Sequence, residues 1–236
     1  MKVSRWLGPA LVVGGLAGLF VDQVARADGA AATPLWQERF DHEPLGWVDP
    51  SRHGARELAR VYSVEKAGER CFLHARHDVT TSDPAPAMHY GRTFQSHPPP
   101  LDRVRALEWK WRVLRHPAVA RDPWVDVAAS VYVVIKVPTV LPGKGFKFGW
   151  LAKPGPSGTK QRGLLQVGVR TDPAGREWRS ESVDVCALYR KQFGPCEGQH
   201  VLYVGVVTDA DGTKSLAEAD YADFELLPVG TEEVKP

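Results

Sequence analysis

Two stretches of the sequence alternate apolar residues with polar ones, and their polar positions carry side chains suited to binding a ligand. Lys110 and Arg112 lie in the first stretch, and Asp126 and Tyr132 lie in the second. Arginine and carboxylate groups form paired hydrogen bonds with carboxylates or hydroxyls, and a tyrosine ring stacks on a sugar ring. If the two stretches form neighbouring strands, these residues predict a surface that binds a polysaccharide. An ordinary solvent-facing sheet surface accounts for the same pattern.

The same positions support an alternative, in which the protein is a glycosidase or lyase that cleaves polysaccharides. A glycosidase needs two carboxyl groups about 5 to 9.5 Å apart, and Asp126 with Glu108 would supply them. Tyr132 or Lys110 would then act as the acid or the base. Convergence of Asp126, Glu108 and Tyr132 in an open groove would favour the enzyme, whereas a flat face would favour binding or scaffolding.

The segment Asp209-Ala-Asp211-Gly-Thr213 is a candidate metal site, because Ca²⁺ prefers carboxylate and hydroxyl oxygens. Asp-Gly between two strand-like runs is also the strongest short signal for a β-hairpin. We therefore predict a hairpin, with calcium at Asp209 and Asp211 as the alternative and no other cofactor. Glu38 and Asp223, on the predicted first and last strands, are a second candidate calcium pair.

Motifs of familiar catalytic sites are missing from the sequence. There is no Gly-x-Ser-x-Gly elbow for a serine hydrolase. The run Pro142-Gly-Lys-Gly145 lacks the eight-residue frame of a phosphate-binding loop. His74 and His77 would point to opposite faces of a strand, so they cannot share a metal ion there. A non-catalytic module that binds a glycan or another envelope component is therefore the leading hypothesis.

The elements that must position these residues are mostly strands. Apolar residues recur at every second position, which is the pattern of a strand with one buried face. In the last clear run, we assign Val201, Tyr203, Gly205 and Val207 to the buried face. The clearest runs are 107–114, 125–137, 146–150, 165–169 and 201–207. Together with the turn signals between them, these runs predict an all-β, jelly-roll-like antiparallel β-sandwich. One short helix is predicted over 183–193, with Gly194 as its stop.

The first 27 residues have the features of a signal peptide. A basic start, with Lys2 and Arg5, precedes the apolar run 6–20, and Ala25-Arg26-Ala27 supplies the small residues of a cleavage site. The apolar run is shorter than the roughly 20 residues that a membrane-spanning helix needs. We expect cleavage after Ala27 and a periplasmic or secreted location, with an uncleaved anchor as the alternative.

The mature chain, 28–236, would have 209 residues, which is enough for one buried core. We therefore predict a single domain. Cleavage removes three of the 30 basic residues and one of the 28 acidic ones, which leaves 27 of each. The charges are interspersed, whereas a nucleic-acid-binding protein clusters its basic residues on one face. We therefore expect no nucleic-acid partner, and no mature segment is apolar enough to span a membrane.

Three cysteines, Cys71, Cys186 and Cys196, remain after cleavage. A bridge between Cys186 and Cys196 would stabilise the fold by about 3 kcal/mol in the chain-entropy model. Three unpaired cysteines are the alternative. An odd number leaves at least one free thiol or an intermolecular bridge.

Six segments spread over residues 36–227 occur in a characteristic order. They are LEWKWRV (107–113), VDVAASVYVVI (125–135), EWRSESVDV (177–185), YRKQFG (189–194), VGVVTDADGT (204–213) and YADFEL (221–226). Their order and spacing resemble an uncharacterised family of exported bacterial proteins, domain-of-unknown-function family 3047. The resemblance implies a jelly-roll-like sandwich and an extracytoplasmic location, and it implies no activity.

The chain departs from this family at polar positions. The family typically has Asp-Asp and then an arginine before its Tyr-Val-Val stretch, where this chain has Val125-Asp126 and Ser130. The family tends to have an acidic residue where Leu188 precedes Tyr189 in this chain. If those groups form a site in the family, this chain has lost part of it.

Overall fold

Strands dominate the residues that the computed structural model describes, namely 33–43, 45–136, 143–158, 160–161 and 163–230. The predicted signal peptide and its cleavage point lie outside these residues. The strands are β1 (Trp36–Glu38), β2 (Trp47–Val48), β3 (Tyr62–Ala67), β4 (Arg70–Asp78), β5 (Tyr90–Thr93), β6 (Val104–Arg115), β7 (Ala129–Lys136), β8 (Lys144–Trp150), β9 (Lys160–Gln161), β10 (Leu164–Arg170), β11 (Arg179–Val183), β12 (Tyr203–Val207) and β13 (Leu216–Pro228). The helices are α1 (Ala55–Leu58) and α2 (Val185–Phe193).

These strands form two sheets that pack face to face. Sheet A has the order β11-β6-β13-β4-β3, and β1 also pairs with β13. Sheet B has the order β2-β5-β12-β7-β8-β10-β9. Among the described ladders, all are antiparallel except β8 with β10, which run parallel. The predicted all-β, jelly-roll-like sandwich is confirmed, with this one parallel ladder in sheet B.

The core lies between the sheets and is built from the alternating residues of the long strands. Trp109 and Trp111 of β6 are buried, and their rings lie 5.6 Å, centroid to centroid, from those of Phe148 and Trp150 of β8. Burial of large aromatic side chains of this kind dominates the energetics of a core. The predicted inner face of β6 is therefore confirmed, and the polar residues between its tryptophans face outward.

The predicted helix is present as α2, but it begins two residues later than expected, because Val183 still pairs in β11. Asp184 caps the helix by accepting a hydrogen bond from the backbone N–H of Ala187 at 2.8 Å. The short helix α1 was not predicted. Within the described ranges, no helix is long and apolar enough to cross a membrane.

A disulfide joins Cys186 in α2 to Cys196, with a Cα–Cα distance of 5.7 Å. It ties α2 to the segment that leads into β12. Of the two alternatives that the sequence left open, the bridge is the one present, and Cys71 is a free, half-buried thiol.

Candidate functional site

The four predicted ligand-binding residues do not lie on one surface. Lys110 and Arg112 project from the outer face of sheet A, Tyr132 projects from the outer face of sheet B, and Asp126 precedes β7 in a loop. The predicted strand over 125–137 begins only at Ala129. Because β6 and β7 belong to different sheets, their polar faces point away from each other with the core between them. The prediction of one shared surface is wrong.

Arg112 has a structural partner, Asp220. Its Nε donates to the fully buried carboxylate of Asp220 at 2.6 Å, and its guanidinium lies 4.7 Å from the ring centroid of Trp178. The imidazole Nδ1 of His74 lies 2.7 Å from the other oxygen of Asp220. This hydrogen bond raises the pKa of His74 above its usual value. Arg112 and His74 together compensate a buried charge.

Lys110 and Asp223 form an ion pair on the outer face of sheet A, with Nζ 2.9 Å from Oδ2. Arg39 and Arg70 approach the same carboxylate at 3.8 Å. Asp223 is thus surrounded by cationic side chains, which leaves it poorly suited to hold a metal ion.

Glu38, which with Asp223 formed the second candidate calcium pair, points into the core. Its carboxylate accepts hydrogen bonds from the backbone N–H of Phe40 at 2.7 Å and from Nε1 of Trp47 at 3.0 Å. Glu38 is opposite the buried Phe224 in the β1–β13 ladder, so Asp223 points to the other face. The Glu38–Asp223 pair is therefore a wrong prediction.

Asp126 holds a turn. Its two carboxylate oxygens accept hydrogen bonds from the backbone N–H groups of Gly212 at 3.0 Å and Thr213 at 2.6 Å, and the Thr213 hydroxyl donates a third. The turn connects β12 of sheet B to β13 of sheet A, so the predicted hairpin is wrong. The Asp-Gly signal specified a turn, and the loop containing Asp126 fixes where the chain crosses between sheets.

Asp126 also brings a third carboxylate to the predicted calcium residues. One oxygen from each of Asp126, Asp209 and Asp211 lies within 4.8 Å of the others. Burial, and then the neighbouring carboxylates, raise the pKa of Asp209 to about 6. Calcium–oxygen distances of about 2.3 to 2.6 Å allow three oxygens at this spacing to share one ion. The residues fit a hard cation by spacing and chemistry, and calcium at Asp209 and Asp211 stays a prediction.

The outer face of sheet B carries a straight row of five residues. Gly91, Gly205, Tyr132, Lys147 and Gln166 are consecutive partners in the registers of β5, β12, β7, β8 and β10. Paired residues of neighbouring strands point to the same side of a sheet. Because the flanking Phe146 and Phe148 of β8 lie in the core, the row faces away from it. We call these five residues the central row.

Lys147 is the charged member of the central row. It is only 8% exposed, and its Nζ lies 5.7 Å from the ring centroids of both Trp124 and Tyr132. The Trp124 ring lies against Gly149, where a Cβ would approach it to 2.7 Å, so the glycine is what admits the tryptophan. Both rings are close enough for cation–π contact with the ammonium.

His89 packs edge-on against the Tyr132 ring, with a centroid distance of 4.5 Å. Burial and the charge of Lys147 lower the pKa of His89 to about 4. At neutral pH this imidazole is uncharged and able to accept a hydrogen bond.

Among the described residues, two hydroxyls on the same face have no hydrogen-bond partner: Oη of Tyr203 and Oγ of Ser130. The Tyr203 ring lies flat over Gly205 and Gly91, where a Cβ on either residue would collide with it. Ser130 is the position at which the sequence departs from the family it resembles. Buried hydroxyls without partners are uncommon in folded proteins, so each of these two is a candidate for binding a water molecule or a ligand.

A cavity of about 320 Å³ lies at the β5 end of sheet B, lined by Gly46 and residues 92–97. Thr93 of this lining is opposite Tyr203 in the β12–β5 ladder. The outer face of sheet B therefore continues at this edge into an open concavity.

Sequence patterns missed most of these residues. The alternation of β8 did place Lys147 opposite the core, but nothing local indicated that Trp124 would cover it. Tyr203 and Val207 are buried as assigned, but they lie on the outer side of sheet B, and the residues of β12 that face the core between the sheets are Val204 and Val206. Both faces of β12 are buried, so its alternation could not distinguish them.

No protein-family model and no curated protein matches the chain. Among solved structures, it is similar to the K1 cleaved adhesin domain of Lys-gingipain from Porphyromonas gingivalis W83. The TM-score is 0.34 at 12% identity, and the match covers 83% of this chain and 98% of the adhesin domain. Similarity at this level carries no argument about function. The resemblance to the exported family likewise stays a prediction.

Proposed function

We propose that the mature domain binds a glycan or another hydroxylated component of the cell envelope through the outer face of sheet B. The observation that carries this proposal is a pair of polar groups on this face without partners among the described residues, namely the Lys147 ammonium between Trp124 and Tyr132 and the hydroxyl of Tyr203. The central row itself is largely covered, since Tyr132 and Lys147 are each 8% exposed, so a ligand would reach it through these two groups. The features of residues 1–27 support an extracytoplasmic location, which the N-terminal mass of exported material would test.

The first test is a glycan-array screen of the mature domain, followed by calorimetric titration with each glycan that binds. Tyr203→Phe removes an unpartnered hydroxyl, so we expect weaker binding and an unchanged or higher melting temperature. Tyr62→Phe is the matched control, because the Tyr62 hydroxyl donates to the backbone carbonyl of Met88 at 2.6 Å. The control should lose stability and keep its affinity. Absence of any bound glycan would refute the proposal.

Cleavage of the bound glycan is the second candidate function. Asp126 and Glu108 do not converge, since Glu108 lies on sheet A and accepts a hydrogen bond from Oγ of Ser182 at 3.1 Å. The observation that favours cleavage is instead the contact of His89 with Tyr132, which brings an unprotonated imidazole and a phenol together on one face. An elimination reaction would produce an unsaturated sugar with strong ultraviolet absorbance. His89→Asn should abolish that product and leave binding intact, whereas no product from any bound glycan would leave binding alone.

A further inference from the structure

Lys147 differs from the other buried charged side chains of the described chain. Glu38, Asp49, Asp126 and Asp220 each accept at least two hydrogen bonds. Within the described residues, no carboxylate lies within 4.0 Å of the Lys147 ammonium, and it donates no hydrogen bond to a described group. A buried charge without a counter-ion is unfavourable, so proteins normally pair such groups. The aromatic contacts replace part of the lost hydration, and Nζ is not among the fully buried polar atoms without a partner, so the ammonium keeps a small opening to solvent.

The carboxylates near Lys147 do not pair with it, so one added negative charge would be favourable beside the ammonium. Two further charged or titratable residues interact with the same face: Asp209, and Asp49, which influences the pKa of His89. Asp49 is already held by the backbone N–H groups of Ser51 and His53 and by the His53 imidazole. Asp209 lies beyond ion-pair distance of Lys147 and hydrogen-bonds to the backbone N–H of Asp211. Neither carboxylate neutralises the ammonium directly.

We infer that the outer face of sheet B is specific for an acidic sugar, with Lys147 binding the carboxylate of a uronate unit. This inference rests on the proposed glycan-binding function. Tyr132 is only 8% exposed and His89 packs against its ring, so a sugar does not stack on it. A carboxylate that projects from a sugar ring would instead reach the ammonium between the rings of Trp124 and Tyr132. Gln166 lies on the other side of Lys147 in the same row. A neutral sugar would desolvate the ammonium further without supplying a counter-charge.

The test compares oligogalacturonate with its carboxyl-reduced counterpart, in which each carboxylate becomes a neutral hydroxymethyl group. The same comparison with alginate and hyaluronate oligosaccharides covers other uronates. We expect the native form of at least one to bind the wild-type mature domain about tenfold or more tightly than its reduced form. Higher salt should weaken the native form selectively, because screening acts on the ionic contact.

Two lysine variants separate the effect of the contact between lysine and carboxylate on affinity from any effect on stability. Lys147→Met should reduce the affinity for the native oligosaccharide to that of the reduced form. Since it removes an uncompensated buried charge, its melting temperature should stay the same or rise. Lys110→Met is the control, because Lys110 lies on sheet A, where it pairs with Asp223. The affinity of this variant for the oligosaccharide should not change. The comparison of native with reduced oligosaccharide on the wild-type protein needs no variant and stands if Lys147→Met does not fold.

The failures of the two proposals are distinguishable. Equal binding of native and reduced forms, binding of neutral glycans only, or unchanged affinity of Lys147→Met would overturn the uronate inference while glycan binding stands. A protein that binds no glycan at all would overturn both.

Discussion

Tyr132 of β7 lies directly opposite Lys147 of β8, and the Lys147 ammonium is 5.7 Å from the centre of the tyrosine ring. Neighbouring strands thus place a cation and an aromatic ring side by side on a face that points away from the core. Trp124 reaches the other side of the same ammonium from the loop before β7. The proposed binding site depends on this arrangement of β-sheet register and loop, and Tyr132 is the one predicted ligand-binding residue that takes part in it.

Asp126 should prove to be a structural residue. Replacing it with Asn removes one of the oxygens that accept hydrogen bonds from the turn at Gly212 and Thr213. We expect a loss of about 1 to 3 kcal/mol in the free energy of unfolding, measured by denaturant titration, because buried donors lose their partner. Asp211→Asn, at an exposed position of the same turn, should change stability far less. A variant of Asp126 that kept full stability and lost ligand affinity would restore the original binding-site hypothesis.

The carboxylate cluster gives a direct test for calcium. The pKa of Asp209 is about 6 in the folded protein and 3.8 when unperturbed, so the folded state holds this proton more tightly. Its contribution to stability therefore falls as the pH rises from 3.8 to 6 and stays low above. In the presence of a chelator at pH 7, Asp209→Asn should raise stability by about 1 to 3 kcal/mol.

If calcium binds, the wild type should become more stable than Asp209→Asn. Ligand binding to the folded state alone raises the melting temperature, by roughly 2 to 4 °C for each kcal/mol in a domain of this size. Millimolar calcium should then raise the melting temperature of the wild type and leave that of Asp209→Asn unchanged. Identical melting curves of the wild type with calcium and with chelator would exclude the metal site.

The hydrogen bond between His74 and Asp220 predicts a second pH dependence of stability. It arises from a cationic side chain, whereas the first arises from a carboxyl group. The hydrogen bond to Asp220 raises the pKa of His74 above 6.5, so protonated His74 stabilises the fold. This contribution is fully present below pH 6.5 and is lost as the pH rises through the raised value. His74→Gln should flatten the stability profile in that window when melting temperatures are compared at matched pH values. An unchanged profile would mean that the imidazole titrates without Asp220.

Local alternation was enough to predict the sandwich and the inner faces of β6 and β8. The periodic tryptophans and phenylalanines of these strands could form no other buried surface than the one between the sheets. Sheet membership was not predictable in the same way, because strands that follow each other in sequence usually pair. Here residues 116–128 cross from sheet A to sheet B, which separates Arg112 from Tyr132.

The site itself needed long-range contacts that no short pattern contains. Lys147 is buried because Gly149 admits the ring of Trp124, which is more than twenty residues away in sequence. Arg112 looked like a ligand-binding residue because its partner, Asp220, belongs to β13, which pairs with β6 but lies far from it in sequence. Charge on a strand face shows that a group is available, and the register decides whether another strand already neutralises it.

The face that binds a glycan can be identified with one matched pair of aromatic variants. Tyr132→Ala removes the ring of the central row on sheet B, and Trp178→Ala removes the half-buried ring beside Arg112 on the outer face of sheet A. For a glycan that the wild type binds, calorimetric titration of Tyr132→Ala should show a loss of about tenfold or more, or about 1.4 kcal/mol. Trp178→Ala should bind as the wild type does. Retained affinity in folded Tyr132→Ala together with lost affinity in folded Trp178→Ala would place the binding surface on sheet A and contradict the site proposed on sheet B.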